Sequence, residues 1–153
     1  MARASSLKSS TSPMKDHLIF YGAHINQDGR SSGLTAPNGP AQTKLVQHLI
    51  KKAGVKRTQL AAISSHGTGT ALGDPIEIGA LTSALKGAWK KGNSASVQIS
   101  AIKSSVGHGE AAAGAVGAVH AALTLEQLNA PNVLNLRLLN PYVGACLLYT
   151  SPS

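Results

Sequence analysis

Two histidines sit where a histidine could do carbonyl chemistry. The first opens the run His66-Gly67-Thr68-Gly69-Thr70, followed by Gly73-Asp74. Its glycines allow a backbone to approach a ligand closely. The hydroxyls of Thr68 and Thr70 can donate hydrogen bonds, and the imidazole can donate to a developing oxyanion. A phosphate-cradling loop fails on detail, because no Gly-Lys-Ser/Thr ending is present. The second run is Lys103-Ser104-Ser105-Val106-Gly107-His108-Gly109-Glu110. Lys103 and His108 could present two donors to one pocket. Glu110 could accept from Lys103, orient a histidine or serve a helix N-terminus. Two histidines and a glutamate at this spacing match no familiar metal-ligand pattern, so no metal is expected. His17, His24, His48 and His120 lack a Gly-bearing loop and read as structural or surface residues.

The elements around these runs follow from periodicity. Residues 60–63 form a short apolar run that leads into His66, the place where α/β sheets present ligand-binding groups. Asp74-Pro75-Ile76-Glu77 reads as a helix start, with Asp74 as cap, Pro75 at the first helical position and Glu77 completing a capping box. Val97, Ile99 and Ala101 alternate with Gln98 and Ser100, a strand feeding the second histidine run. From Glu110 to about Gln127 an Ala- and Gly-rich helix is expected, buried at the domain centre and ended by Pro131. Gly114 and Gly117 on it imply close contact with another element.

Upstream, Leu18-Ile19-Phe20-Tyr21 with Ala23 and Ile25 reads as a mostly buried strand. Residues 26–33 form a loop by composition. Asn38-Gly39-Pro40 opens an amphipathic helix with Ala41, Leu45, Val46, Leu49 and Ala53 on one face, stopped by Gly54. Residues 90–94 read as a surface turn. The alternation of strands and helices indicates a layered α/β fold.

Composition narrows the function classes. The 153 residues suffice for one domain with a real core, and 42% hydrophobic content reads as globular. No apolar run reaches the roughly 18 residues of a membrane-spanning helix, so no membrane partner is expected. A net charge of +8 invites nucleic acid. However, the basic residues concentrate at 44–57 and 86–91, no aromatics interleave them, and no nucleic-acid motif is present. A charged partner accounts for the excess equally well. The single cysteine, Cys146, excludes a disulfide framework and a multi-cysteine metal site. Residues 1–17 are an unassigned Ser-rich, basic start. That composition suits an organelle transit peptide, a poorly ordered terminus or the beginning of a fragment, leaving cytoplasm and plastid both open as compartments.

The motifs together resemble a known family. The run from His66 to Glu77, HGTGTALGDPIE, is similar to the histidine motif of β-ketoacyl synthase (ketosynthase) domains of modular, type I polyketide synthases. KSSVGHGEAAAG, from Lys103 to Gly114, resembles the family's second histidine motif with its upstream lysine. NQDGRSSGLTAPNGP, from Asn26 to Pro40, resembles a further polyketide-type signature. The resemblance implies a thiolase-like layered α-β-α-β-α fold of which only the C-terminal half, residues 18–144, is present. It implies decarboxylative Claisen condensation of an acyl-cysteine enzyme with a malonyl thioester on acyl carrier protein. His66 and His108 would then polarise the malonyl carbonyl, and Lys103 would orient His108 with Glu110 beside it. The domain itself would need no cofactor, the phosphopantetheine arm of the carrier being the substrate's handle. Acyl carrier protein, the family's N-terminal half and a second copy in a homodimer are the implied partners.

Five departures qualify that expectation. No cysteine precedes His66, and Cys146 lies in no strand-to-helix turn that would expose a nucleophile. The family's closing Gly/Phe-rich segment is lacking. Ser64 stands where polyketide members usually carry Glu, and Gly109 where a larger apolar residue is common. Residues 145–153 no longer resemble the family and read as a truncated or artefactual end. The chain is therefore expected to form no acyl-enzyme alone. It should also be poorly stable, with an apolar face lacking its partner half. The alternative is a non-catalytic ketosynthase-like protein that binds a carrier or a synthase partner.

Overall fold

A computed structural model describes residues 7–8, 18–31, 33, 36–87, 97–129, 131–134 and 136–148. Helix α1, Gly39–Ala53, forms for local reasons. The Asn38 side chain accepts from the Ala41 N–H, Pro40 lies in the first turn, and Gly54 closes the helix at φ 64°. Leu45, Val46 and Leu49 are its buried positions, as the spacing requires.

Next come strand β3, Ala62–Ser64, helix α2, Gly73–Ala84, and strand β4, Gln98–Ser100. Strands β3 and β4 pair in parallel with Ala62 opposite Gln98, Ile63 opposite Ile99 and Ser64 opposite Ser100. The pleat sorts these residues between two faces. Ile63 and Ile99 pack on the core of Val46, Ile78, Leu81, Ala84 and Val143, built from α1, α2 and the last helix α5, Pro141–Leu148. Ser64 and Ser100 belong to the opposite pleat, and helix α4, Ala113–Gln127, packs on β3. A Cβ on Gly117 would lie 3.9 Å from Ser64 Oγ, so the glycine does bring α4 close to the sheet. The result is a three-layer α/β arrangement. A single turn, α3, Lys103–Val106, joins β4 to the second histidine loop.

Several expectations shift. The strand expected over residues 18–25 shrinks to β2, Ile19–Phe20, paired antiparallel with β1, Leu7–Lys8. It is exposed, Phe20 to 63%, because no described layer covers it. The apolar run at 60–63 enters the sheet two residues late, since Leu60 closes a 3-10 turn over Arg57–Gln59. The helix expected from Glu110 begins as a 3-10 turn, Glu110–Ala112, before α4. It ends at Leu128, which takes φ 51° and bonds back to Leu125 and Thr124, ahead of Pro131. Nor is α4 central and buried: Val119 is 59% and Leu123 48% exposed, and only His120 and Thr124 are buried. α5 runs through the boundary drawn at residue 144 and holds Cys146 against α2, where its thiol faces the Pro75 carbonyl at 3.7 Å. The turn expected at 90–94 lies outside the described residues.

Candidate active site: two histidine loops

The loop after β3 is shaped by the two acids of α2. The Glu77 carboxylate accepts the His66 N–H at 2.6 Å and the Gly67 N–H at 2.9 Å. Asp74 accepts the Gly69 N–H with both oxygens, at 3.2 and 3.1 Å. Neither acid caps α2, whose first residue follows Leu72 with no side-chain cap bond. The expected capping box is thus replaced by a carboxylate clamp on the histidine loop. Burial raises the Glu77 pKa, and the two backbone N–H groups oppose that rise. Thr70 Oγ1 accepts the Gly73 N–H at 3.1 Å and lies 3.4 Å from Thr68 Oγ1, closing the loop on itself. Gly67 is required here. It sits at φ 47°, and a Cβ on it would fall 2.5 Å from the Ala101 Cβ.

The second loop arrives beside the first because β3 and β4 are adjacent and parallel. Ser65 continues the pairing, donating its N–H to the Ser100 carbonyl at 2.8 Å. Lys103, three residues past β4, therefore meets residue 66, two past β3. Its ammonium donates to the His66 carbonyl at 2.6 Å and lies 3.2 Å from His66 Nδ1. The resemblance implied Lys103 against His108; the parallel register puts it on His66. His108 is oriented by backbone instead, its Nδ1 accepting the Glu110 N–H at 3.0 Å. Glu110 adopts φ 39°, a strained value for a residue with a side chain, following Gly107 at φ 76°. The Glu110 carboxylate makes no hydrogen bond among the described residues.

The two imidazoles meet edge to face, with centroids 5.6 Å apart and planes at 88°. An ammonium and a backbone N–H can only donate. Both Nδ1 atoms are therefore acceptors, and the proton of each neutral ring sits on Nε2. Desolvation lowers the His66 pKa first, followed by the positive charge of Lys103 and the neighbouring His108, with Asp74 opposing them. In that tautomer the two Nε2–H groups, unbonded among the described residues, form a donor pair for an oxygen that gains negative charge. Among the described residues no cluster of three or more histidine, cysteine, aspartate or glutamate side chains could hold a metal. No helix among them is long and apolar enough to cross a membrane.

Residues outside the two runs complete the picture. Ser65 Oγ donates to the Ser100 carbonyl at 3.0 Å, and Ser64 Oγ lies 3.1 Å from His120 Nδ1. His120 had no motif to mark it. His24 and His48, expected to be structural or surface residues, stack at 4.1 Å.

The layered arrangement of helices about two adjacent parallel strands is one that known proteins share. Ketosynthase twelve of the bacillaene polyketide synthase from Bacillus amyloliquefaciens superposes with a TM-score of 0.71 at 32% identity, over 83% of this chain and 23% of that one. An oxazolomycin ketosynthase domain of Streptomyces albus gives 0.69 at 34%, over 77% and 20%. The fold is thus thiolase-like, present in part.

The family model for the C-terminal domain of β-ketoacyl synthases matches residues 18–137, and the chain belongs to that family. Among curated relatives, erythronolide synthase EryA3 of Saccharopolyspora erythraea is 42% identical over 117 residues, 76% of this chain and 4% of that protein. Mycoketide-CoA synthase of Mycobacterium tuberculosis is 38% identical over 138 residues, 88% of this chain and 3% of that protein. The chain therefore spans a few per cent of these synthases and about a fifth to a quarter of the solved ketosynthase chains.

Proposed function

We propose that residues 18–144 supply the two-histidine half of a ketosynthase active site that condenses an acyl-cysteine with a malonyl thioester on acyl carrier protein. The observation that carries this reading is the pair of edge-to-face imidazoles, each with Nδ1 held and Nε2 free to donate. When the malonyl carboxylate leaves as carbon dioxide, the electron pair of the broken C–C bond moves into the thioester. The resulting enolate oxygen is the group that His66 and His108 would stabilise. Each well-placed donor of this kind is worth about 3 kcal/mol. The enolate carbon would then attack the acyl-cysteine carbonyl, releasing the thiolate. Lys103 keeps the His66 proton on Nε2 and disfavours a second proton on the ring.

The cysteine is not expected from this chain. None precedes His66, and Cys146 lies within α5, its thiol facing the Pro75 carbonyl. A cysteine-bearing N-terminal half and the phosphopantetheine arm of acyl carrier protein would be the partners, in a dimer as for the parent class. The placement of Cys146 within α5 favours a second reading, in which the chain binds a carrier or synthase partner without condensing.

The test is incubation with malonyl-N-acetylcysteamine, followed by NMR of the ring nitrogens and intact-mass spectrometry. Shifts at both His66 and His108 without a covalent adduct are expected. An acyl adduct on the chain, or ring signals that ignore the thioester, would overturn the proposal.

A further inference from the structure

We infer that His120 is a positioning residue for His66, acting through Ser64 at the end of the strand that leads into the first histidine loop. The inference rests on His66 having the role proposed above. His120 lies on α4 and is only 8% exposed. Its Nδ1 is 3.1 Å from Ser64 Oγ, the one hydrogen bond the ring makes among the described residues. Ser64 stands two residues before His66, and its register partner Ser100 is itself 4% exposed. Gly117, one turn before His120, keeps α4 close over the same serine. The contact thus ties the helix that follows His108 to the strand that precedes His66, across 56 residues of sequence.

The other side of the ring gives this tie a distinctive property. Among the described residues His120 Nε2 is buried and makes no hydrogen bond, and neither does Thr124 Oγ1 one turn further on. A buried N–H without an acceptor is the costlier arrangement, so the proton belongs on Nδ1, donating to Ser64, and Nε2 keeps a lone pair. That nitrogen is a buried base. Among the described residues, the elements packed on α4 give a proton there no counter-charge. β3 has no titratable side chain, and Glu110 lies ten residues back along the chain. Glu126, on α4 itself, is six residues on and so on another side of the helix. Burial holds the His120 pKa below the ordinary value, which agrees with a neutral ring. Once protonated, the ring must leave its site. The end of β3 then loosens, and His66 loses its registration against Lys103 and His108.

The experiment follows the assigned ring-nitrogen signals of His66, His108 and His120 in the full chain from pH 8 to pH 5. In the native sequence the His66 signals should shift in two steps, one coinciding with the His120 titration. His120→Gln keeps an amide able to reach Ser64 but cannot take a proton in this range, and it should remove that step. Ser64→Ala should displace the His66 signals at every pH while the far-ultraviolet spectrum stays native. A single-step His66 titration in the native chain, or unmoved His66 signals in Ser64→Ala, overturns the inference even if His120→Gln does not fold. No thioester enters these measurements. Failure to bind malonyl-N-acetylcysteamine with this coupling intact would sink only the proposed function, and the reverse result would sink only this inference.

Discussion

Replacing Glu77 by alanine should release the His66 loop while leaving the core of α1, α2 and α5 in place. Two backbone N–H groups lose their acceptor, at 2.6 and 2.9 Å in the native chain. A hydrogen bond to a charged acceptor contributes about 1.5–3 kcal/mol, so the pair sums to about 3–6 kcal/mol. Two effects reduce this. Water can reach the exposed His66 backbone, and removing a carboxylate whose pKa burial has raised relieves a desolvation cost. A net local loss of about 2–4 kcal/mol follows, equivalent to roughly 30- to 1,000-fold in the opening equilibrium of the loop. The assay is amide hydrogen exchange, which resolves His66 and Gly67 individually. Glu77→Gln retains one acceptor oxygen in the same shape and should lose about half the free energy. If both amides in Glu77→Ala exchange within threefold of native, the carboxylate does not hold the loop and the reasoning fails.

Other outcomes are equally specific. Gly67→Ala must place a methyl 2.5 Å from the Ala101 Cβ at φ 47°, so about 2–5 kcal/mol of stability should disappear in denaturant melts. Gly69→Ala, at φ 77° with nothing within 4 Å, should lose only about 1–2 kcal/mol, and equal losses would contradict the packing described. Lys103→Met should raise the His66 pKa without fully restoring 6.5, because burial is the larger cause of its depression; an NMR titration reads this directly. Stability should also carry two pH signatures of opposite sign. His66 and His120, depressed below 6.5 in the fold, stabilise it fully above that value and lose their contribution as pH falls. Glu77, raised above 4.5, favours the fold below that value and loses its contribution as pH rises through its folded pKa. Thermal melts of the native chain and Glu77→Gln across pH 4–8 should therefore differ mainly on the alkaline side of 4.5.

What could be read from the sequence was whatever depends on near neighbours. Helix α1 was legible to the residue, because its cap, its apolar face and its stop are all set within the segment. Each histidine loop was legible by itself as a Gly-bearing run after a strand, whereas the meeting of the two rings depends on the parallel register of β3 and β4, which no local pattern carries. β2 and α4 were misjudged for one shared reason. Leu18, Phe20, Val119 and Leu123 are apolar residues whose burial depends on what lies over them, and the described chain offers nothing there. The tie between Ser64 and His120 carries no sequence signal at all, since a serine on a strand and a histidine on an alanine-rich helix are individually ordinary.

The string Asp74-Pro75-Ile76-Glu77 shows how a correct signal can carry a wrong assignment. A helix does begin there, but one turn of preceding backbone already provides its acceptors. The Asp74 N–H bonds the Thr70 carbonyl at 3.4 Å and the Ile76 N–H bonds the Leu72 carbonyl at 3.3 Å, while Pro75 has no N–H to satisfy. With the first turn supplied in this way, neither carboxylate is needed as a cap. Both remain at the positive end of the helix dipole, where an anion is favoured, and both turn outward to the unpaired N–H groups of the loop. The loop in turn has those N–H groups available because its glycines, at φ 47° and 77°, curl the backbone away from either strand. Helix start and histidine loop thus complete one another's hydrogen bonding. A change to either acid is consequently a change to the geometry of His66, though neither acid touches its ring.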